Sequence, residues 1–440
     1  MNDDVPFSRG TVDNIIEESR VDLSRASIRE MNRVVNKIER ELGTEFIRLE
    51  FGIPGLPASN IGINAEIYAL TKEGVASRYA PFDGIPRLKK ATAEFVKKFL
   101  NLDVGPECCI PTVGNMQGGF LSQAIAGRLD RRRNTILHID PGFSVNKSQA
   151  RFLGLETDSI DFYQMRGPKL IAVLRQRLAK GDVGGVLWSS PNNPTWIVFT
   201  DEELKDMGEL FNEYEVVAIE DVAYLCMDFR QDYSRPGQEP YPPTIAHYAD
   251  NSFVLISASK IFSYAGQRAA VTIISPKFIR KEYEGLEEYF GTRRIGEAFV
   301  QGGMYPTTSS VPQGPQHALA ALFEAASSGE YDFVKPLREY GRRANHMKKA
   351  FTAHGFKLVY DWDLDRPLAD GFYFTFSYPG FSGVELLREM IYYGVSATTL
   401  NITGSIRAEG LRACVSLTGE DRFDVLDYRL KRFHEDHPLD

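Results

Sequence analysis

A lysine follows a short apolar run in this chain, and hydroxyl and guanidinium groups lie near it in sequence. Lys260 stands just beyond the apolar run at 253–256, where a buried strand is predicted to end. An apolar or cationic surround lowers the pKa of a lysine amine below its ordinary value of about 10.4 and makes the amine a nucleophile. Ser257, Ser259 and Arg268 could bind a phosphate beside it. These side chains predict a site for pyridoxal 5'-phosphate (PLP); the alternative is a surface lysine after an edge strand.

Polar residues also follow two other apolar runs. Asp221 comes soon after the run at 216–219, where its carboxylate could bind the pyridine nitrogen of PLP and keep it protonated. Tyr224 could reach the 3-oxygen of the ring, and Asn193, in a turn after Trp188, could donate to the same atom. Each has a structural alternative: an aspartate that caps a helix, a core tyrosine and a turn-forming asparagine.

Two more segments could contact the same cofactor. The segment at 114–119 is rich in glycine and precedes a predicted helix at 121–129. Free N–H groups at the start of a helix bind anions, and the glycine spacing is not that of a dinucleotide fingerprint, which favours phosphate alone or a plain loop. Phe143, after the turn at 140–142, could stack on the ring or belong to the core.

An arginine interrupts the apolar run at 411–417. A buried guanidinium is costly unless it is paired. A carboxylate ligand would pair Arg412 through two parallel hydrogen bonds, and a structural salt bridge is the alternative. The sequence therefore predicts either a carboxylate-binding site or an internal ion pair at this position.

The scaffold that must position these residues is predicted to be an α/β fold. Between about 85 and 300, short, almost continuously apolar runs alternate with helical segments, which is typical of a parallel sheet covered on both faces. Several runs end in polar or Gly/Pro clusters, where open α/β sheets bind ligands. Beyond about 330, a helix at 333–354 and a β-rich run at 372–376 predict a smaller α+β domain.

The predicted organisation has three parts. Residues 1–45 form an N-terminal arm with a helical period, residues 46–330 a large PLP-binding domain, and residues 331–440 a small C-terminal domain. Residues 46–75 are assigned to either the large or the small domain.

Composition excludes several classes of function. The chain has 440 residues, a net charge of −8 and 43% hydrophobic residues, so neither nucleic-acid binding nor a membrane span is predicted. The acidic N-terminus lacks the apolar region of a signal peptide, and the four cysteines include no CxxC pair, which predicts a cytoplasmic protein with reduced thiols. Seven scattered histidines show no metal-ligand spacing, and no metal site is predicted.

In this order, the motifs resemble those of the class I/II aminotransferases, the PLP-dependent fold type I family of aspartate aminotransferase, over residues 46–435. The most specific part is Ser-x-Ser-Lys with an arginine eight residues after the lysine. The resemblance implies a mainly parallel seven-stranded sheet in a large domain and a smaller α+β domain. It also implies ping-pong transfer of an amino group from an L-amino acid to a 2-oxo acid, in a homodimer with active sites at the subunit interface.

The resemblance implies a role for each matched residue. Lys260 forms an imine with the cofactor and moves protons, Asp221 binds the pyridine nitrogen, and Tyr224 holds the 3-oxygen. The other matches hold the 3-oxygen (Asn193), stack on the ring (Phe143), bind the phosphate (Gly114, Asn115, Met116, Ser257, Ser259, Arg268 and, from the neighbouring subunit, Tyr79) or bind substrate (Arg412, Asn193 and Gly52). The Arg-x-Cys pattern that ends at Cys414 looks like that of kynurenine-aminotransferase-type members.

This sequence departs from the family pattern at three places. Trp196 replaces the glycine of Asn-Pro-Thr-Gly, which predicts a change in the turn or at the pocket mouth. Asn115 and Met116 are bulkier than the residues usual at the phosphate loop, and Arg412 lies one residue closer to Gly410 than in many members.

The sequence is compatible with more than one reaction and more than one class of amino donor. A C–S β-lyase or a decarboxylase would share the cofactor residues, and a PLP-binding regulator would need a DNA-binding domain for which 45 residues are few. A dicarboxylate donor would need a second arginine, for which the candidates are Arg78, Arg293 and Arg294. A bulky or aromatic donor is suggested by the aromatic residues Phe143, Trp196 and Tyr264.

Overall fold

A computed structural model of the chain describes residues 5–439. The strands are β1 (Ile47–Arg48), β2 (Cys109–Val113), β3 (Thr135–Asp140), β4 (Glu156–Asp161), β5 (Val183–Ser189), β6 (Val217–Asp221), β7 (Ser252–Ser257), β8 (Ala269–Ile274), β9 (Lys357–Leu358), β10 (Trp362–Asp363), β11 (Arg366–Pro367), β12 (Tyr373–Ser377), β13 (Val395–Ser396), β14 (Thr398–Thr399) and β15 (Leu411–Cys414).

The α-helices are α1 (Arg9–Ser19), α2 (Ile28–Leu42), α3 (Asn60–Thr71), α4 (Pro86–Leu100), α5 (Gly114–Ala126), α6 (Val145–Phe152), α7 (Pro168–Leu178), α8 (Asp201–Glu213), α9 (Ala258–Ile261), α10 (Glu287–Phe290), α11 (Ile295–Glu297), α12 (Tyr305–Thr308), α13 (Gln313–Ser328), α14 (Val334–Ala353), α15 (Gly383–Tyr392) and α16 (Phe423–Asp436). A π-helical segment spans Ala298–Met304.

Seven strands form the main sheet, in the order β2-β8-β7-β6-β5-β3-β4. Strand β8 is antiparallel to both of its neighbours, and the other adjacent pairs are parallel. Strands β3, β7 and β8 are buried along their whole length, as continuous apolar runs predict for a sheet covered on both faces. The prediction of a mainly parallel seven-stranded α/β sheet is confirmed.

The parallel arrangement brings the predicted site residues to one edge. Strands β5, β6 and β7 end at Ser189, Asp221 and Ser257, and β2 leads directly into α5 at Gly114. Because the carboxyl ends of parallel strands meet at the same edge, residues distant in sequence converge there.

A second sheet, β14-β15-β12-β9, is antiparallel and lies in the C-terminal part of the chain. Helix α14 packs against its strands β9 and β12, and α16 packs against α14. Strand β1 pairs in parallel with β13, with Ile47 opposite Val395, whereas α3 packs against α13. Residues 46–75 therefore contact both parts of the molecule.

Helix α2 shows how the N-terminal segment is fixed. Ser27 and Glu30 cap its start reciprocally, and Gly43, with φ of 64°, ends it. One face buries Met31, Val34, Val35 and Ile38, as the helical period predicts. Residues 1–4 and 440 of the predicted N-terminal arm and C-terminal domain lie outside the described residues. None of the helices described is long and apolar enough to cross a bilayer.

Candidate active site

Lys260 lies on α9, directly after β7. Ser257 ends β7 and caps α9 by accepting a hydrogen bond from the backbone N–H of Ser259, so the chain turns and presents the lysine. The Lys260 amine donates to the carbonyl oxygen of Gly52. Burial lowers the pKa of Lys260 to about 8, and the positive charge of Arg412 acts in the same direction. The amine is therefore a nucleophile close to neutral pH.

Asp221 ends β6 and faces the same region. Its Oδ1 accepts hydrogen bonds from Asn115 Nδ2 at 2.7 Å and from the Ala223 N–H at 3.0 Å. Burial raises the pKa of Asp221 to about 6, against the effect of these two bonds. In the described part of the chain Oδ2 has no hydrogen-bond partner, so a cationic N–H donor would stabilise the carboxylate there. A pyridinium nitrogen has this chemistry.

Tyr224 and Asn193 are both buried beside this carboxylate's strand. The Tyr224 hydroxyl lies 2.8 Å from the Tyr373 hydroxyl. The turn that carries Asn193 is held by Asn192, which donates to the Pro141 carbonyl at 2.9 Å. The Asn193 Oδ1 accepts from an arginine of β15 at 3.3 Å, which leaves its amide N–H groups to donate elsewhere.

The start of α5 and Arg268 form an anion-binding corner. Gly114 begins α5 with φ of 69°, and a Cβ at this position would collide with the Arg268 guanidinium, so only glycine allows the approach. Arg268 Nη1 lies 3.4 Å from Ser259 Oγ and 3.0 Å from the Ala265 carbonyl oxygen. No carboxylate pairs with Arg268 within residues 5–439. Free helix N–H groups, a hydroxyl and an unpaired guanidinium together fit a phosphate.

Arg412 is the buried cation of the second sheet. It is 2% exposed, and its Nη2 donates to the Glu50 carbonyl oxygen at 2.5 Å and to Thr398 Oγ1 at 3.4 Å. Its Nη1 donates to Asn193, and its Nε is buried without a partner. Its guanidinium also lies 4.8 Å from the centre of the Tyr373 ring. Every one of these contacts is with a neutral group, so an anionic ligand would supply the missing charge.

The remaining predicted residues differ in how close they come to this site. Phe143 is half-buried in the loop that follows the carboxyl end of β3, and Met116 is exposed in the first turn of α5. Tyr79 is 87% exposed and forms no hydrogen bond or ring contact with the described side chains of the site. Within the single chain, Tyr79 is therefore a predicted site residue that does not contact the rest of the site.

The structure places the three arginines considered for a second carboxylate. Arg293 pairs with Glu287 and borders a cleft near the starts of β3 and β5, at the edge of the main sheet opposite Lys260. Its neighbour Arg294 pairs with Glu282. Neither arginine therefore reaches the site of its own chain. Arg78 is exposed beside Tyr79 and donates to a backbone carbonyl.

Trp196, which replaces the family glycine, is fully buried behind Tyr224. It adopts φ of 69°, and its ring lies 5.2 Å from that of Tyr224 and 6.2 Å from that of Tyr373. A Cβ at Gly371 would collide with the indole, so the glycine makes the space that the tryptophan fills. Tyr264 is also buried and donates to Glu66. Trp196 and Tyr264 therefore support a bulky-donor pocket less than the sequence suggests.

Tyr373 was not predicted from the sequence. Its hydroxyl meets Tyr224 and packs so closely on Gly52 that a Cβ there would collide with it. The signal lies in strand pairing: β12 and β15 are adjacent, and Tyr373 stands opposite Cys414, two residues from Arg412. That pairing is not visible in either segment alone.

Comparison with known proteins gives a family match over most of the chain. The profile of the family described as aminotransferase class I and II matches residues 49–426. The chain is 25% identical over 322 residues to the aspartate/prephenate aminotransferase of Thermus thermophilus, covering 73% of this chain and 75% of that one. It is 28% identical over 257 residues to the LL-diaminopimelate aminotransferase of Natranaerobius thermophilus, covering 57% of this chain and 62% of that one.

Solved structures show the same fold. The chain matches the alanine aminotransferase from Pyrococcus furiosus with a TM-score of 0.75 at 20% identity, covering 93% of this chain and 97% of that one. It matches the Thermus thermophilus aspartate aminotransferase solved with maleate with a TM-score of 0.73 at 22% identity, covering 93% and 96% of the two chains. At these identities the match establishes the fold.

The contact between Trp196 and Gly371 predicts a stability effect. Gly371→Ala forces the indole to move within a filled core and should lower the free energy of unfolding by about 1–3 kcal/mol. Gly10→Ala is the matched control, because Gly10 lies in α1 with open space around it, and should raise stability by up to about 1 kcal/mol. Denaturant unfolding of the cofactor-free proteins measures both. Equal stability of the two variants would contradict the contact.

The environment of Lys260 predicts a pH dependence. In the cofactor-free protein the amine should react with an amine-selective reagent with a midpoint near pH 8, since burial lowers its pKa to about 8. Because the unfolded chain holds this proton up to about pH 10.4, the contribution of Lys260 to the free energy of unfolding rises with pH between these values. Competitive labelling against a lysine peptide, read by mass spectrometry, measures the midpoint, and a value equal to that of the peptide refutes the prediction.

Proposed function

The chain belongs to the class I and II aminotransferases, and on that premise we propose how its residues divide the work of the reaction. The protein is a PLP-dependent aminotransferase that moves an amino group from an L-amino acid to a 2-oxo acid. The observation that carries the proposal is the buried Arg412, which has no carboxylate partner among residues 5–439 and whose positive charge acts on the Lys260 amine.

The described residues fit the cofactor. Asp221 has a free Oδ2 for the ring nitrogen, and the corner between Gly114 and Arg268, where a Cβ would meet the guanidinium, has the donors and the positive charge for the phosphate. Residues proposed to bind the cofactor are Lys260, Asp221, Tyr224, Asn193, Phe143, Gly114, Asn115, Met116, Ser257, Ser259 and Arg268 in one chain and Tyr79 from a neighbouring subunit. Bound PLP supplies a carbon that condenses with amines and a protonated ring that accepts electrons.

The chain's own side chains bind the substrate and move its protons. Arg412, with Asn193 beside it, binds the α-carboxylate and so fixes the substrate relative to the ring. With PLP bound, the Lys260 amine would act as the general base that takes the proton from the substrate α-carbon and would return it on the cofactor side to complete the transfer. The Gly52 carbonyl accepts a hydrogen bond from that amine and holds it near the substrate. Amino donor and 2-oxo acid acceptor use this one site in turn, which gives ping-pong kinetics.

The alternative reactions gain no support. The named relatives are aspartate, prephenate and LL-diaminopimelate aminotransferases, and none is a C–S β-lyase or a decarboxylase. For the donor, Arg293 and Arg294 lie at the edge of the sheet opposite the site of their own chain, so they do not bind a second carboxylate there. Arg78 stays a candidate for that role only from a neighbouring subunit.

A homodimer completes the proposal. Tyr79 is fully available to a second copy, and exposed apolar residues surround it in sequence, namely Ile67, Tyr68, Leu70 and Phe82. Contact with a second copy would remove these exposed apolar side chains from water. The large domain (46–330) would supply the cofactor residues and the small domain (331–440) Arg412, with β1 attached to the small domain through β13. The four cysteines are buried and unpaired, which supports a reducing cytoplasm.

The role of Arg412 predicts a selective loss of substrate binding. Titration of the purified enzyme with amino acids should convert the visible absorbance of the bound cofactor, and a 2-oxo acid should restore it. Arg412→Lys keeps the charge but not the paired hydrogen bonds, so kcat/KM should fall about 100-fold or more with the cofactor still bound.

The control is Arg294→Ala, which removes an arginine from the opposite edge of the sheet and should leave the titration unchanged. If Arg412→Lys showed full conversion of the absorbance at the amino-acid concentrations that convert the wild-type enzyme, the substrate carboxylate would have to bind elsewhere. Release of pyruvate or carbon dioxide without conversion of the band would assign the lyase or the decarboxylase.

The role of Tyr79 predicts complementation between two defective subunits. Lys260→Ala should lose the absorbance band and turnover, and Tyr79→Ala should bind the cofactor weakly. In a mixed dimer, one site combines Lys260 of one subunit with Tyr79 of the other, so up to half of the wild-type activity should return. If both residues acted within one chain, the mixed dimer would be no better than Tyr79→Ala alone.

A further inference from the structure

We propose that Tyr373 is a positioning residue of the amino-transfer site, which acts through Tyr224 by donating its hydroxyl hydrogen to the Tyr224 hydroxyl oxygen. The inference rests on the proposed role of Tyr224 beside the 3-oxygen of the cofactor. Tyr373, a residue of the second sheet, would thus join the residues that control the charge of the cofactor ring.

The geometry isolates the two hydroxyl groups from other partners. Tyr224 follows β6 of the main sheet, and Tyr373 lies on β12 of the second sheet. Their hydroxyl oxygens are 2.8 Å apart, and the residues are 5% and 2% exposed. Within the described chain neither hydroxyl forms another hydrogen bond. The pair is thus a closed contact between the two sheets.

The chemistry of the cofactor sets the direction of this hydrogen bond. A phenol has one hydrogen to donate. If Tyr224 gives its hydrogen to an oxygen anion on the ring, its own oxygen must accept from Tyr373. The two bonds then point the same way, and bonds in such a chain strengthen one another. The Arg412 guanidinium lies 4.8 Å from the Tyr373 ring. Its positive charge favours negative charge on the ring oxygen that ends this chain of hydrogen bonds.

Packing fixes the Tyr373 hydroxyl in this position. Gly52 lies so close that any larger residue there would displace the hydroxyl. The Trp196 ring packs edge-on against both tyrosine rings, at 5.2 Å from Tyr224 and 6.2 Å from Tyr373. Tyr373 therefore has little freedom to turn away, and the hydrogen bond is preorganised before a ligand arrives.

The consequence is a shift in the acidity of the bound cofactor. Donation to the ring oxygen stabilises its negative charge, so the neighbouring nitrogen that joins Lys260 to the cofactor holds its proton less tightly. Without the Tyr373 hydroxyl, Tyr224 donates less strongly and that nitrogen becomes more basic. The visible absorbance of the bound cofactor reports this protonation directly.

The test is a pH titration of that absorbance in four variants. Tyr224→Phe should raise the midpoint, and Tyr373→Phe should raise it by a smaller amount, between about 0.3 and 1 pH unit. The double variant should equal Tyr224→Phe alone, because Tyr373 acts only through Tyr224. Tyr378→Phe, which removes a hydroxyl bound to His434 from the segment after β12, is the matched control and should leave the midpoint unchanged.

The outcomes separate this inference from the proposed function. A shift for Tyr224→Phe with none for Tyr373→Phe would refute the inference and leave the role of Tyr224 intact. An unchanged midpoint for Tyr224→Phe would instead contradict the proposed role of Tyr224 beside the 3-oxygen, and with it the inference that rests on that role. A shift for Tyr373→Phe that persists on the Tyr224→Phe background would show that Tyr373 acts by another route and would also refute the inference.

Discussion

Positive charge held inside the protein without a negative partner is the constraint on which this site depends. Lys260 lies on α9 after a strand of the main sheet, Arg412 lies on β15 of the second sheet, and both contact carbonyls, amides and aromatic rings rather than carboxylates. Such an arrangement is costly in an empty protein and becomes favourable when a ligand brings the charge. The nearby Asp221 has the converse problem, a carboxyl group whose pKa is raised by burial. The bound cofactor and substrate would supply charges that pair both the buried cations and the buried carboxyl group.

The sequence predicts the main sheet and the cofactor edge because their signals are local. Continuous apolar runs mark β5, β6 and β7, and polar residues directly after them must meet at one edge. Strand β4 lacks this signal, since its residues, such as Glu156 and Thr157, are largely polar and it lies at the edge of the sheet. The contact of Tyr373 with Tyr224 depends on how two sheets pack, and no local pattern contains that information.

Three contacts at the site join the part of the chain that carries the main sheet to the part that carries the second sheet. Arg412 donates to Asn193, Tyr373 meets Tyr224, and Trp196 packs against Gly371. In each pair, one residue belongs to the part of the chain that is proposed to bind the cofactor, and the other to the part that carries Arg412, which is proposed to bind the substrate carboxylate. A displacement of the second sheet would therefore disturb substrate binding and ring electrostatics together, so that correct placement of the carboxylate is coupled to correct placement of the ring.

The fit of Trp196 against Gly371 also constrains the order in which such a site could have evolved. With alanine at 371, tryptophan at 196 must move from its present position, whereas glycine at 371 is compatible with either a small residue or an indole at 196. A mutational path to the present pair therefore costs less stability when the glycine is acquired first. Once the indole is in place, a larger residue at 371 lowers stability unless the tryptophan is also replaced, so the effect of a mutation at one position depends on the residue at the other.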